Sequence, residues 1–81
     1  MSHVPHELAE EFPDATRQIA TLKADSPYFV GLADRYHEVN RAIHRAETDI
    51  EPTSDQHMQE MRRERLVLKD KIAAALRSVD A

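Results

Sequence analysis

The chain has no cysteine, no tryptophan and a single glycine, Gly31. Without cysteine there can be no disulfide and no thiolate metal site, and the composition fits a reducing compartment. With no glycine-rich loop there is no backbone cradle for phosphate. No apolar run approaches the roughly 18–20 residues that span a bilayer. The stretch from Met1 to Glu11 has neither a basic n-region nor an apolar h-region and carries acids instead. The expectation is that it is no signal peptide and that the protein is cytoplasmic. Net charge is −4, so strong positive charge is also missing. That argues against nucleic acid as the default partner and for a solvated acidic surface.

What remains is the composition of helices. Charged residues make up 32% of the chain and β-branched residues are not enriched. Eighty-one residues make one domain, near the lower limit for a self-sufficient core. A core of this size supplies only about 3–5 kcal/mol, and oligomerisation is a common remedy.

Residues 1–12 are expected to be mobile, with a short helix over Pro5–Glu11 as the alternative, since Pro5 suits a first turn. Pro13 interrupts any helix through it, so a separate short helix is placed at 13–24, with Ala15, Ile19 and Leu22 on its apolar side. Ser26 and Pro27 form a cap and a first helical residue. The helix they open, at 27–51, carries the clearest signal. Phe29, Leu32, Tyr36, Val39, Ile43, Ala46 and Ile50 follow the alternating three- and four-residue steps of a heptad seam. Asp34, Arg35, His37, Glu38, Asn40, Arg41, His44, Arg45 and Glu47 fall between them and are read as the solvated face. Gly31 is read as tolerated within this helix rather than as a site of close backbone approach.

Pro52 ends the helix. Thr53, Ser54 and Asp55 can each cap the next, and Thr53 with Gln56 has capping-box spacing. So short a connection makes antiparallel neighbours. In the last helix, 55–79, Met58, Met61, Arg65, Leu68, Ile72, Ala75 and Val79 repeat the seam. A second stripe, Leu66, Ala73 and Leu76, exceeds what a two-helix contact needs. It is expected to cover the N-terminal helix or a second copy, which makes Leu66, Ala73, Leu76, Ile19 and Leu22 the expected interface and a dimer the expected oligomer. Arg65 stands within the seam. Its stem is expected to lie along apolar surface with the head in water, and a pair with Glu47 is the alternative.

Chemistry is sparse. His37 and His44 share a face but are separated by about 10 Å of helical rise, too far for one ion. His44 and Glu47 make half a metal site at most. Ser26 and Ser54 are accounted for as caps, while Ser2 and Ser78 lie at the ends. Paired acids such as Glu10 and Glu11 have no evident pocket to shift their pKa values. A two-helix seam also leaves little room for a concave site of about 300 Å³. Arg62, Arg63, Arg65, Lys69 and Lys71 are basic, but Glu60, Glu64 and Asp70 interleave with them. No catalytic residue, metal or cofactor is assigned, and an enzyme is not expected.

Several blocks are familiar together. They are Phe12-Pro13, Ile19, Leu22-Lys23, the Ser-Pro-x-Phe run at Ser26–Phe29, Leu32, Asp34, Tyr36-His37-Glu38, Ile43-His44-Arg45 and Glu47. The Pro52-Thr53-Ser54-Asp55 turn and Arg65-Leu66-Val67-Leu68-Lys69-Asp70 complete the set. From about Leu8 to Leu76 the chain resembles the YdcH-like family of small bacterial proteins, a domain of unknown function. Ala33 departs from the pattern, in which an aromatic is common before the aspartate. The resemblance implies a helical hairpin or coiled coil and carries no catalytic residue across. Lys69 or Asp70, which match the motif, are expected to bridge to the N-terminal helix.

The sequence thus reads as an all-α antiparallel helix–loop–helix hairpin preceded by a short helix. The function expected is self-association or protein–protein interaction without catalysis. The alternative is a regulatory contact with nucleic acid or the transcription machinery through the basic last helix.

Overall fold

A computed structural model describes residues 6–48 and 53–80. The expectations for Ile50, Glu51 and Pro52 lie outside the described residues, as does Ser2. The described residues are all-α: α1 (Leu8–Glu11), a 3-10 turn (Pro13–Ala15), α2 (Thr16–Asp25), α3 (Pro27–Glu47) and α4 (Asp55–Asp80). The 26 residues of α4, at about 1.5 Å each, account for the 41 Å long axis of the molecule.

Local chemistry sets the boundaries. Pro13 converts the start of the expected helix at 13–24 into the 3-10 turn, and α2 proper begins at Thr16. Ser26 sits in extended backbone and its Oγ accepts from Phe29 N at 3.2 Å, with Pro27 at the first helical position. At the other end of α3, Thr48 Oγ1 donates to the His44 and Arg45 carbonyls at 3.0 and 3.2 Å, and the Thr48 backbone N–H also reaches the His44 carbonyl, closing the last turn. The cap of α4 is Ser54, whose Oγ accepts from His57 N at 3.1 Å. The Thr53–Gln56 spacing suggested a different residue. Ser54 takes the role because α4 begins one residue later than that box requires.

The core is shared by every helix. Phe29, Tyr36 and Ile43 of α3 and Ile72 of α4 have no exposed surface, and Leu68 and Leu76 join them. Each large side chain removed from water contributes about 1.5–3 kcal/mol before the entropy of ordering is counted. The N-terminal elements complete the core: Leu8 and Ile19 are buried, and Phe12, Ala15 and Leu22 pack against the cluster. Residues 6–12 are thus docked on the core. Leu8, 3% exposed, is the anchor, one helical turn before Phe12, which packs against the same cluster.

The heptad reading needs one enlargement. Ala33 and Asn40 belong to the buried face, each 1% exposed, although Asn40 was assigned to the solvated side. Both stand one residue from a seam position, on the flank of α3 that the other elements cover. Gly31 is exposed, and a Cβ placed there would meet nothing within 4 Å.

Candidate functional site

Polar side chains converge where the N-terminal segment crosses α3 and α4. His6 has a φ of 65°, in the left-handed region that few side chains favour. Its carbonyl accepts from the Tyr36 hydroxyl at 2.6 Å. Lys69 Nζ donates to Glu11 Oε1 at 2.7 Å, and His6 Nδ1 lies 3.6 Å from the other Glu11 oxygen. Lys69 thus makes the bridge to the N-terminal elements, whereas Asp70 is exposed. The Lys69 hydrogen bond, opposed by partial burial, holds the Glu11 carboxyl below its ordinary range. Burial, aided by the Glu11 charge, pushes the Tyr36 hydroxyl up to about 12.

Arg65 follows neither reading suggested for it. Its Nη1 donates to Asn40 Oδ1 at 3.0 Å, so a half-buried guanidinium meets a buried amide. Glu47 is engaged by Arg62 Nη2 at 3.1 Å instead.

A groove of about 260 Å³ opens at this junction, lined by His6, Glu11, Tyr36, Arg62, Arg65, Leu66 and Lys69. Arg62, Arg65, Leu66 and Lys69 form its α4 wall because their spacing places them along one helix face. Leu66 is 59% exposed and its neighbour Val67 45%.

The five expected interface residues separate. Ile19 and Leu76 are buried in the core and Leu22 packs against it, while Ala73 is half-buried. Packing within the chain, where α2 meets both α3 and α4, accounts for them. Leu66 alone projects away.

His37, expected on the outward face, is half-buried, with Nδ1 2.5 Å from Glu7 Oε2 but without hydrogen-bond alignment. Its ring meets that of Tyr36 edge-on, with centroids 6.3 Å apart. Glu7 reaches it because α1 docks over this side of α3, a tertiary contact that periodicity along α3 does not reveal.

The surface is also more concave than a two-helix seam suggested. A groove of about 420 Å³ runs past Asp34, His37, Glu38, Arg41 and Arg45. Another, of about 300 Å³, lies between α3 and α4 near Arg35, Val39, Met61 and Glu64. Side chains standing out from the helices create these spaces. Acids and bases alternate along them, and Arg35 ties Glu64 and Glu38 at 2.5 and 2.8 Å. Ser26 and Ser54 are occupied as caps, and Ser78 Oγ donates to the Ala75 carbonyl at 2.7 Å. Among the described residues, no three of His, Asp and Glu gather as a metal site would need. Also among the described residues, no helix is long and apolar enough to cross a membrane.

Asn40, Glu11 and the groove were missed by periodicity, which reports one helix at a time. The signal that could have found them is the pairing of polar residues beside the seam: Asn40 on one long helix and Arg65 within the seam of the other.

Comparison with curated proteins and with solved structures gave no match. One family model, described as a protein of unknown function (DUF465), matches residues 29–76, so α1, the 3-10 turn and α2 fall outside it. The matched span is narrower than the resemblance from Leu8 to Leu76, but it contains Tyr36, Asn40, Arg65, Leu66 and Lys69 and covers more than half of the chain. The chain belongs to the DUF465 family, proteins of unknown function that include the YdcH-like small proteins.

Proposed function

We propose that this chain is a non-catalytic interaction module. In this reading α3 and α4 form an antiparallel hairpin, the N-terminal elements brace one side, and the α4 face around Leu66 is offered to another protein chain. One observation carries it. Leu66 and Val67 stand exposed in the middle of a helix whose seam residues Leu68, Ile72 and Leu76 are buried, and among the large apolar residues of α4 only Val79, near its end, is exposed as well. An exposed apolar pair with Arg62, Arg65 and Lys69 along one side suits a contact better than a reaction. The titratable groups nearby support the same view, since Lys69, Glu11 and Arg62 are spent in ties that hold the fold together.

A second copy is the first partner to consider, and a dimer through Leu66 follows from the second stripe. The stripe argues for it less strongly once Leu76 is buried within the chain. Contact with nucleic acid through α4 is weaker again, because Glu47 and Glu11 already neutralise Arg62 and Lys69.

The test has two arms. Sedimentation velocity from low to high micromolar concentration reports self-association. Cross-linking in native cells, compared between the natural chain and Leu66→Asp, reports other partners, with nuclease treatment included. Expected is a complex, homomeric or heteromeric, that Leu66→Asp abolishes and nuclease leaves intact. A monomer at every concentration, with identical cross-linked products from both chains, defeats the proposal.

A further inference from the structure

The groove beside Leu66 has a charge imbalance that specifies its occupant. Three permanent cations line it, Arg62, Arg65 and Lys69, against one carboxylate, Glu11. Lys69 is matched by Glu11, and Arg62 by Glu47 from outside the groove. Arg65 is different. Among the described residues its hydrogen-bond partner is the neutral Asn40 amide, and no carboxylate there lies within 4.0 Å of it. A guanidinium carries five N–H donors in a planar fork suited to a carboxylate, and Asn40 occupies one side of it. A half-buried cation that lacks a counter-charge is electrostatically incomplete, and the residue next to it in the chain is the exposed Leu66.

We propose that this groove seats an acidic, amphipathic segment of a partner protein, one of its carboxylates on Arg65 and an apolar side chain on Leu66. This rests on the reading of the chain as an interaction module and names the partner's chemistry. Two other occupants fit less well. In a two-fold dimer centred on Leu66 the same patch meets itself, which sets Arg62, Arg65 and Lys69 against their own copies. A nucleic acid senses the whole molecular field as a polyanion, and the net charge of −4 opposes it. A single carboxylate at contact distance responds to Arg65 locally, since more distant exposed charges are screened beyond about 8 Å at physiological salt.

The experiment is an NMR titration of the full, isotope-labelled chain with three probes: an amphipathic helical peptide of Glu, Leu and Ala, the same peptide with Gln for Glu, and a single-stranded oligonucleotide. Expected is saturable movement of the amides of residues 62–69 with the Glu peptide. Affinity should fall at least about fivefold with the Gln peptide, roughly 1 kcal/mol, and by a similar factor in Arg65→Gln and in Leu66→Asp. Melting curves recorded alongside show that both variants remain folded; Leu66→Asp changes an exposed side chain, and Gln at 65 retains a donor for Asn40. Equal binding of the Gln and Glu peptides, insensitivity to Arg65→Gln, tighter binding of the oligonucleotide at the same amides, or no saturable shift each overturns the assignment. If the Glu peptide fails while a Leu66-dependent complex persists in the cross-linking experiment, the acidic partner is wrong and the interaction module stands. If both fail, both readings fall.

Discussion

Replacing Gly31 with alanine tests how completely the face of α3 around it is open. Gly31 lies inside α3, is exposed, has a negative φ and would place its new Cβ in empty space. The substitution therefore has no clash to offset its gain. The gain is mainly entropic, because glycine leaves the unfolded chain more conformations to lose, and in a helix interior it amounts to about 0.8–1 kcal/mol. Unfolding entropy near 60 °C is about 2.1 cal/mol/K per residue, so a chain of this length should melt about 5–6 °C higher. Far-UV circular dichroism during heating, with urea titrations to confirm an unchanged slope, measures it. The melts should be repeated at low and high micromolar protein. An unchanged or lowered melting temperature refutes the reasoning. A loss confined to high concentration locates the error, because it means another backbone approaches Gly31 and the face is a contact between copies.

Ile72, with no exposed surface, should cost about 2–5 kcal/mol as alanine; against a core worth about 3–5 kcal/mol this should abolish the cooperative melt, and a retained sharp transition contradicts the packing described. A double-mutant cycle of Asn40→Ala and Arg65→Ala should give a coupling of about 1–3 kcal/mol, as for hydrogen bonds to charged groups. The exposed pair Glu47–Arg62 should give less than about 1 kcal/mol, and the reverse ranking, measured by urea unfolding, rejects the buried Asn40–Arg65 pair. Glu11 has a lowered pKa, so its contribution is complete above its ordinary value of 4.5 and is lost as pH falls through the lowered one. Glu11→Gln should therefore flatten the acid limb of the stability–pH profile, and an unchanged limb contradicts the Lys69 tie.

The heptad spacing made α3 and α4 legible to within a few residues, because burial against one neighbour imposes a regular period. Ser26 and Pro27 were legible because capping is local chemistry. What escaped was set by a third element. Asn40 and His37 read as solvated because both lie off the seam, yet Asn40 is buried and α1 covers His37 with Glu7. Leu66 and Leu76 belong to one stripe by spacing, but one is exposed and the other buried, since α2 helps to complete the core at one end of α4 only. Lys69 and Asp70 were expected alike to bridge to the helix at 13–24; the bridge that forms is from Lys69 to Glu11 of α1, and choosing between the two residues needed the position of Glu11. The groove was beyond reach for the same reason: its walls come from three segments whose arrangement no single period encodes.

The tie between Lys69 and Glu11 joins residues 58 apart in the chain, twice the 29 that separate Arg35 from Glu64. Doubling a loop adds only about 0.6 kcal/mol of closure entropy, so the longer tie is thermodynamically affordable. Kinetically it differs, because α3 and α4 can order on nearer contacts and the N-terminal segment then joins a pair already formed. What joins last can leave first. Residues 6–12 are expected to open while the long helices stay folded, so that amide exchange should find Glu10 and Glu11 far less protected than Ile43 or Ile72. Such opening would couple the first segment to the far half of the chain through the Lys69–Glu11 tie: whatever binds or alters α4 at Lys69 should also change how often the first segment lets go.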